Sequence, residues 1–349
     1  MPDRDSGSLR MFNILKILQN IGYKVTFFPA NLHCHNKYTP QMQAIGIECL
    51  YVPYVKSIGN YLEEYGQYFN AVILSRADTA EMFIDDVKQY CTNAKIIFDT
   101  VDLHFLREER EAKLTRDKIL ADSAAMRKTQ ELALARKADT TLVVSPVELD
   151  LFKEEAPDVN VNLLSNIHQL YETGNSFKER KDILFIGGFE HPPNTDAMLW
   201  FLDAIFPIVQ KENPDIRLII IGGHVPEELK NKANDSIIIT GFVGDIKPLF
   251  DKIRLSIAPL RYGAGVKGKI NSSMSFGVPV VATNIAAEGM KLVHEKDVLI
   301  ADEPEEFARE IMRLYFDATL WQALSEAGKQ NIEEHFSFAT AEAQLRAVL

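Results

Sequence analysis

The chain has 349 residues, a net charge of -11 and three cysteines. That length exceeds one ordinary core, which stops growing at roughly 250 residues, and predicts two lobes; the 46% hydrophobic and 25% charged content is that of an ordinary globular protein, with no signal peptide evident and no run near the ~18 apolar residues of a membrane span. The acidic balance argues against a nucleic-acid partner, and three cysteines at unrelated spacings (Cys34, Cys49, Cys91) argue against a disulfide framework or zinc site, so a reducing, cytoplasmic setting fits best.

The chain opens on MPDRDSGSLR, read as a loop, then a helical pattern at MFNILKILQNIG and a strand at KVTFFPA. A doubly wound α/β lobe normally places its central first strand before such a glycine-bearing stretch, so a fragment lacking that short strand is expected. Signals then alternate: a weak strand at ECLYVPY, a helix at IGNYLEEYGQYF, the strand AVILSR, a helix at TAEMFIDDVKQYC and the strand KIIFDTV. This is the βαβ rhythm of a parallel sheet. From Leu103 to Arg136 the pattern is a charged surface helix or helix pair, in which acidic residues almost match basic ones and so weaken a membrane-docking reading. ADTTLVVSPVELDLF gives a buried strand and a helix capped by Ser145. A strand at VNLLSNI completes the first lobe, residues 1–168, and the polar, aperiodic stretch 169–181 reads as a linker.

The second lobe, residues 182–336, restarts with DILFIGGF and a helix opened by prolines in HPPNTDAMLWFLDAIFPIVQKENP. The strands RLIIIGG, SIIITGF, LSIAPL and VLIAD follow, and two helices lead to a C-terminal helix at 337–349 expected to pack back toward the first lobe. The predicted fold class is α/β, two Rossmann-like doubly wound parallel-sheet lobes facing each other across a cleft, with ligand loops at the carboxyl ends of the strands.

One stretch concentrates chemistry: RYGAGVKGKINSSMSFGVPVVAT, Arg261 to Thr283. Glycines 263, 265 and 268 permit positive φ and close backbone approach, and the free N–H groups of the helix that follows suit an anion such as a diphosphate. Lys267 and Lys269 supply countercharge, with Arg261 as a third cation. Such lysines alone would be solvated loop residues and such glycines simple turn formers. Their coincidence at a strand-to-helix junction favours an anion site.

Together, FIGGF with PPN-D-WF, the strand IIIGG, ITGFVGDIKPLF, IAPLRYGAGVKGKI with SFGVPVVAT, and the AAEGM turn resemble retaining glycosyltransferases of the GT-B fold, family 4, over most of residues 182–338. The first lobe agrees more loosely, through D-SGS-R, IIFDTVDLH and ELALARKADTTLVVSPVE. The resemblance implies sugar transfer from a nucleotide-sugar donor to a hydroxyl of a glycan or lipid-linked acceptor in surface glycan or polysaccharide synthesis, with retention and with no cofactor or required metal. It leaves open a peripheral place at the inner face of the membrane. Charge developing on the leaving diphosphate calls for fixed cations and backbone donors. The resemblance gives that part to Lys267 and Lys269, aided by Arg261 and Gly265.

By the same resemblance Gly187 and Gly188 bring a second loop to the phosphates, and Gly241, Phe242 and Val243 hold the base through main-chain groups. Glu288 and Gly289 lie near the donor, although Glu288 is equally a candidate cap for the next helix. Asp102 and His104 touch the donor sugar or orient the attacking hydroxyl, whose proton passes to the leaving phosphate; the plainer alternative is a capping Asp and a locally bonded His. Asp99 is expected to face the same side, and Ser6, Gly7 and Ser8 to form a loop beside the phosphates and acceptor. The other histidines show no metal-site spacing and read as structural or surface residues.

The sequence departs from the family pattern at an acidic pair and at a basic pair. Glutamates that would meet the donor sugar and the ribose are replaced by Ala264 and Ser272, and no Asp or Glu lies between Asp251 and Glu288. Ser272 still offers a hydroxyl to a ribose, more weakly than a carboxylate would. The basic pair expected after the first glycine loop is absent from FEHPPNTD. Two other readings therefore stand beside the enzyme: a degenerate module that binds a nucleotide or glycan without turnover, and a GT-B nucleotide-sugar epimerase.

Overall fold

The computed structural model describes residues 1–172 and 174–349; Thr173, in the stretch expected as a linker, lies outside the described residues. The chain forms two compact units, one of residues 1–2, 7–167 and 338–349, the other of residues 3–6 and 168–337. The stretch 169–181 counts with the second unit.

The first unit runs α1 (Ser6–Asn20), β1 (Thr26–Phe27), α2 (Tyr38–Ala44), β2 (Glu48–Cys49), α3 (Ile58–Tyr65), β3 (Ala71–Ser75), α4 (Ala77–Tyr90), β4 (Lys95–Asp99), α5 (His104–Thr115), α6 (Lys118–Lys137), β5 (Thr140–Val143), α7 (Pro146–Glu155) and β6 (Val161–Leu163). All of its strand pairs are parallel, in a two-stranded sheet β1-β2 and a four-stranded sheet β3-β4-β5-β6. Its core joins Ile14, Ile17 and Leu18 of α1 to Ile97, Leu142 and Leu164, and to Ala341 and Leu345 of the C-terminal helix Phe338–Val348. Ser145 caps α7 by accepting from the Glu148 N–H, as its place before Pro146 predicts.

From Ser6 onward the stretch expected as an opening loop is instead helix, and residues 1–5 remain turn and coil. Residues 10, 13, 14, 17 and 18 are its buried stripe, at helical spacing, but the first of these is an arginine. Arg10 is buried because its NH1 donates to both carboxylate oxygens of Asp99 at 2.8 Å, while its other nitrogens take the carbonyls of Leu164 and Ser165. A charged residue reads as surface, so the stripe's first member was hidden in the sequence. Ser6, Gly7 and Ser8 accordingly occupy the first turn of α1.

The second unit runs β7 (Lys181–Ile186), α8 (Pro192–Trp200), α9 (Phe206–Glu212), β8 (Leu218–Ile221), α10 (Glu227–Lys230), β9 (Ile237–Gly241), α11 (Lys247–Phe250), β10 (Ile253–Ala258), α12 (Gly268–Ser275), β11 (Val280–Ala282), α13 (Asn284–Ala287), β12 (Leu299–Ile300), α14 (Pro304–Phe316) and α15 (Ala318–His335). Its six parallel strands lie in the order β12-β11-β10-β7-β8-β9. Apolar runs such as LIII and DILFI suit strands covered on both faces. The single helix expected from 192 to 212 is split by a π turn at Phe201–Ile205. Pro207 lacks an N–H and its ring opposes the carbonyl four residues earlier, so the ladder widens just before it. From β7 the sheet grows through β8 to β9, then restarts on the other side at β10. The strand order therefore reverses between β7 and β10, and an open α/β sheet binds ligands at the carboxyl end of such a reversal.

Candidate active site

In the second unit the loops that follow β7 and β10 flank this reversal. The β7 loop carries Gly187 and Gly188, and its packing explains both neighbouring glycines: a Cβ on Gly187 would stand 2.8 Å from Asn194 Nδ2, and one on Gly222 would collide with the Gly187 carbonyl oxygen. Asn194, in the first turn of α8, donates to the Gly188 carbonyl at 2.7 Å and accepts from the Lys269 ammonium. One side chain thus ties the β7 loop to the start of α12. Sequence reasoning gave Asn194 no role; its only signal was its place in PPN at a helix start.

Lys267 is 7% exposed, and its Nζ donates to the carbonyls of Gly265 at 2.7 Å and Ala264 at 3.2 Å. Gly265 holds φ of 65°, which a side chain would resist, and so lets its carbonyl turn toward that ammonium. Lys269 is half-buried as a residue, but its ammonium is set inward, 4.8 Å from the Phe185 ring centroid. Burial first, and the neighbouring Lys267 charge second, push Lys269 down to about 7. Two closely set lysines lie beside the first N–H groups of an eight-residue helix, a combination whose chemistry suits a multivalent anion. Ser272 is half-buried one turn further along α12, and Ala264 is half-buried in the loop.

Arg261 is engaged elsewhere: its Nε donates to Asp196 Oδ2 at 2.9 Å, so that its charge is largely answered. Gly241 ends β9 at φ of 71°, followed by exposed Phe242 and half-buried Val243. The Arg4 guanidinium lies 4.4 Å over the Phe242 ring, a contact with no sequence signal. Glu288 and Gly289 follow α13, half-buried; Glu288 stands at the C-cap of α13 and does not cap the next helix, which begins at Pro304.

In the first unit a second cluster stands beyond the carboxyl end of β4. Asp99 does not face outward as expected; it is fully buried on Arg10, and Ser75 Oγ donates to it at 3.1 Å. The chain then turns through Val101 at φ of 67°, a conformation costing a β-branched residue about 1–3 kcal/mol. After the turn, Asp102 accepts from Arg107 at 2.5 Å and lies 3.3 Å from His104 Nε2. Both side chains remain partly exposed. Behind them Glu131 accepts the His104 backbone N–H at 3.1 Å. Burial pushes Glu131 up to about 7, with His104 and Arg127 opposing the rise and Asp102 adding to it. Glu131 was missed because a glutamate in a charged helix reads as solvated. Among the described residues no group of three or more His, Cys, Asp and Glu could hold a metal ion, and no helix is long and apolar enough to cross a membrane.

Residues 180–317, which contain the whole second-unit sheet, match the family described as glycosyl transferases group 1. A 44.6 kDa protein in the cps region of Klebsiella pneumoniae is 32% identical over 140 residues, 38% of this chain and 36% of that protein. YtcC of Bacillus subtilis, a candidate glycosyltransferase by name, is 24% identical over 226 residues, 60% of this chain and 54% of that one. The chain thus spans between about a third and about half the length of these curated relatives. The structure of Anabaena HepE in complex with UDP-glucose aligns over 99% of this chain and 97% of that one, with a TM-score of 0.75 at 12% identity. The two Rossmann-like units and the matched segment agree: the chain has the GT-B fold, and its second unit is similar to the group 1 glycosyl transferases.

Proposed function

We propose that this chain transfers a sugar from a nucleoside-diphosphate sugar to an acceptor hydroxyl, with retention at the anomeric carbon. The observation that carries the reading is the Gly188–Asn194–Lys269 linkage at the strand-order reversal, where two glycine loops, two lysines and a helix start converge. Cleavage of the donor leaves negative charge on the diphosphate, which Lys269, Lys267 and the N–H groups opening α12 stabilise more strongly than they do the intact donor. Gly241, Phe242 and Val243 hold the base. Asp102 and His104 orient the attacking hydroxyl, whose proton passes to the departing phosphate. HepE was solved with UDP-glucose, which makes a UDP-sugar the first donor to try. The cps-region relative supports a surface glycan or polysaccharide acceptor. We place the reaction in the cytoplasm, and exposed Leu114, Ile119 and Met126 beside Arg116 and Lys118 support contact with the inner membrane face.

A binding module without turnover is the second reading, favoured by Ala264 and Ser272 standing where acidic residues are expected. A panel of nucleotide-sugars separates the two. The enzyme releases nucleoside diphosphate from one of them and passes its sugar to an acceptor; the module is stabilised by a nucleotide and releases nothing. If no nucleotide or nucleotide-sugar at millimolar concentration shifts thermal stability, both readings fall.

A further inference from the structure

Two buried glutamates close on one short stretch of backbone. Glu131 of α6 and Glu148 of α7 are each 1% exposed. Glu148 accepts the Leu103 N–H at 3.2 Å through Oε1 and the Val144 N–H at 3.0 Å through Oε2. Glu131 accepts the next amide, that of His104, at 3.1 Å through Oε1. These amides open α5, where the helix dipole also favours a negative acceptor. The two acids differ in their other oxygen: Glu131 Oε2 is buried with no hydrogen-bond partner. A fold seldom leaves such an atom unanswered without another use for it.

The charges that face Glu131 come from several elements. His104 and Asp102 stand at the β4–α5 turn, with Arg107 holding Asp102 from α5. Arg127 stands one turn earlier on α6, held in turn by Glu108 at 3.0 Å and by Asp78 of α4 at 3.6 Å. We propose that Glu131 is the positioning residue of the Asp102–His104 pair: its Oε1 fixes the His104 backbone so that the imidazole meets Asp102, and its charge strengthens that amide contact. The proposal rests on the role given to Asp102 and His104 above. Because burial brings the Glu131 carboxyl up to about 7, the charge is present above neutrality and absent below it. The amide contact persists in both states, since either form offers an acceptor oxygen. Glu148, engaged through both oxygens, serves the backbone.

The test compares wild type with Glu131→Gln, which keeps an acceptor for the His104 amide and removes the charge, and with Glu131→Ala, which removes both. With the donor that wild type uses, Glu131→Gln should match wild-type kcat below about pH 6 and fall about fivefold behind it by pH 8, with the donor KM unchanged. Glu131→Ala should be lower throughout. In NMR spectra the His104 backbone amide resonance should move as pH passes about 7 in wild type and stay in place in Glu131→Gln. Activity ratios flat with pH, and a His104 amide resonance with the same pH response in folded wild type and Glu131→Gln, would overturn the proposal and leave Glu131 a structural residue. Failure of the transferase reading looks different: none of the three proteins turns over any nucleotide-sugar, while the His104 amide resonance still decides the role of Glu131.

Discussion

Arg10 and Asp99, 89 residues apart, form an ion pair in which one guanidinium nitrogen donates to both carboxylate oxygens, with both side chains essentially removed from solvent. The pair fastens α1 to the end of β4, three residues before Asp102. Replacing one partner leaves the other buried and uncompensated, which costs about 3–5 kcal/mol. Asp99→Asn should therefore lower the urea unfolding free energy by that amount, and Arg10→Met with Asp99→Leu should recover much of it. A loss below about 1 kcal/mol for Asp99→Asn would show that the pair does not fasten the unit.

His168 is buried, and burial pushes it down to about 4. The unfolded chain, titrating near 6.5, binds the extra proton between these values, so the stability tied to this group is lost as pH falls from about 6.5 toward about 4. Glu131 acts oppositely: its raised value lets the folded state hold a proton first, and its contribution improves as pH falls from about 7. The comparison of wild type with His168→Gln isolates the histidine. Between pH 7 and pH 5 wild type should lose about 2 kcal/mol more than the variant; equal losses would mean that His168 is not held neutral.

The Lys269 value, lowered to about 7, carries two consequences. The unfolded chain binds more protons above pH 7, so Lys269→Met should raise the thermal midpoint at pH 6 to 7 while abolishing nucleotide binding. A bound diphosphate restores the ammonium. Affinity for a nucleoside diphosphate should thus be flat below about pH 7 and weaken by up to about tenfold per pH unit above it, with proton uptake visible as a dependence of the calorimetric heat on buffer ionisation. An affinity constant from pH 6 to 9 would place the Lys269 ammonium outside the anion's reach.

Gly222→Ala drives a methyl into the Gly187 carbonyl. Overpacking of this kind costs about 1–3 kcal/mol, and the displaced β7 loop should weaken nucleotide binding with it. Gly223→Ala, whose Cβ would meet nothing within 4 Å, is the control. Equal behaviour of the two variants would show that the β7 loop takes no part in binding.

The strands were legible because runs such as Ile183–Ile186 and Ile237–Ile239 are apolar, short and closed by glycine, and the 261–268 loop because its glycines and lysines fall between a strand and a helix. What was hidden lay in pairings across the chain. Arg10 stands in the opening stretch with nothing nearby to mark Asp99, the partner that explains its burial. Lys269 meets Asn194 from 75 residues away, and Glu131 meets the His104 amide from 27. A lone Asn, Glu or Arg carries no mark of its partner; burial supplied by the fold gives each its meaning. Arg261 shows the converse, a cation conspicuous in the sequence that the fold commits to Asp196.

Sugar transfer as proposed depends on the grip of the second unit on a diphosphate. Its most direct test is calorimetric titration of UDP at pH 7 into wild type, Lys269→Ala and Asn194→Ala. It predicts one saturable site in wild type, loss of at least about tenfold in affinity with Lys269→Ala and a smaller loss with Asn194→Ala. Wild-type affinity retained in Lys269→Ala would contradict it.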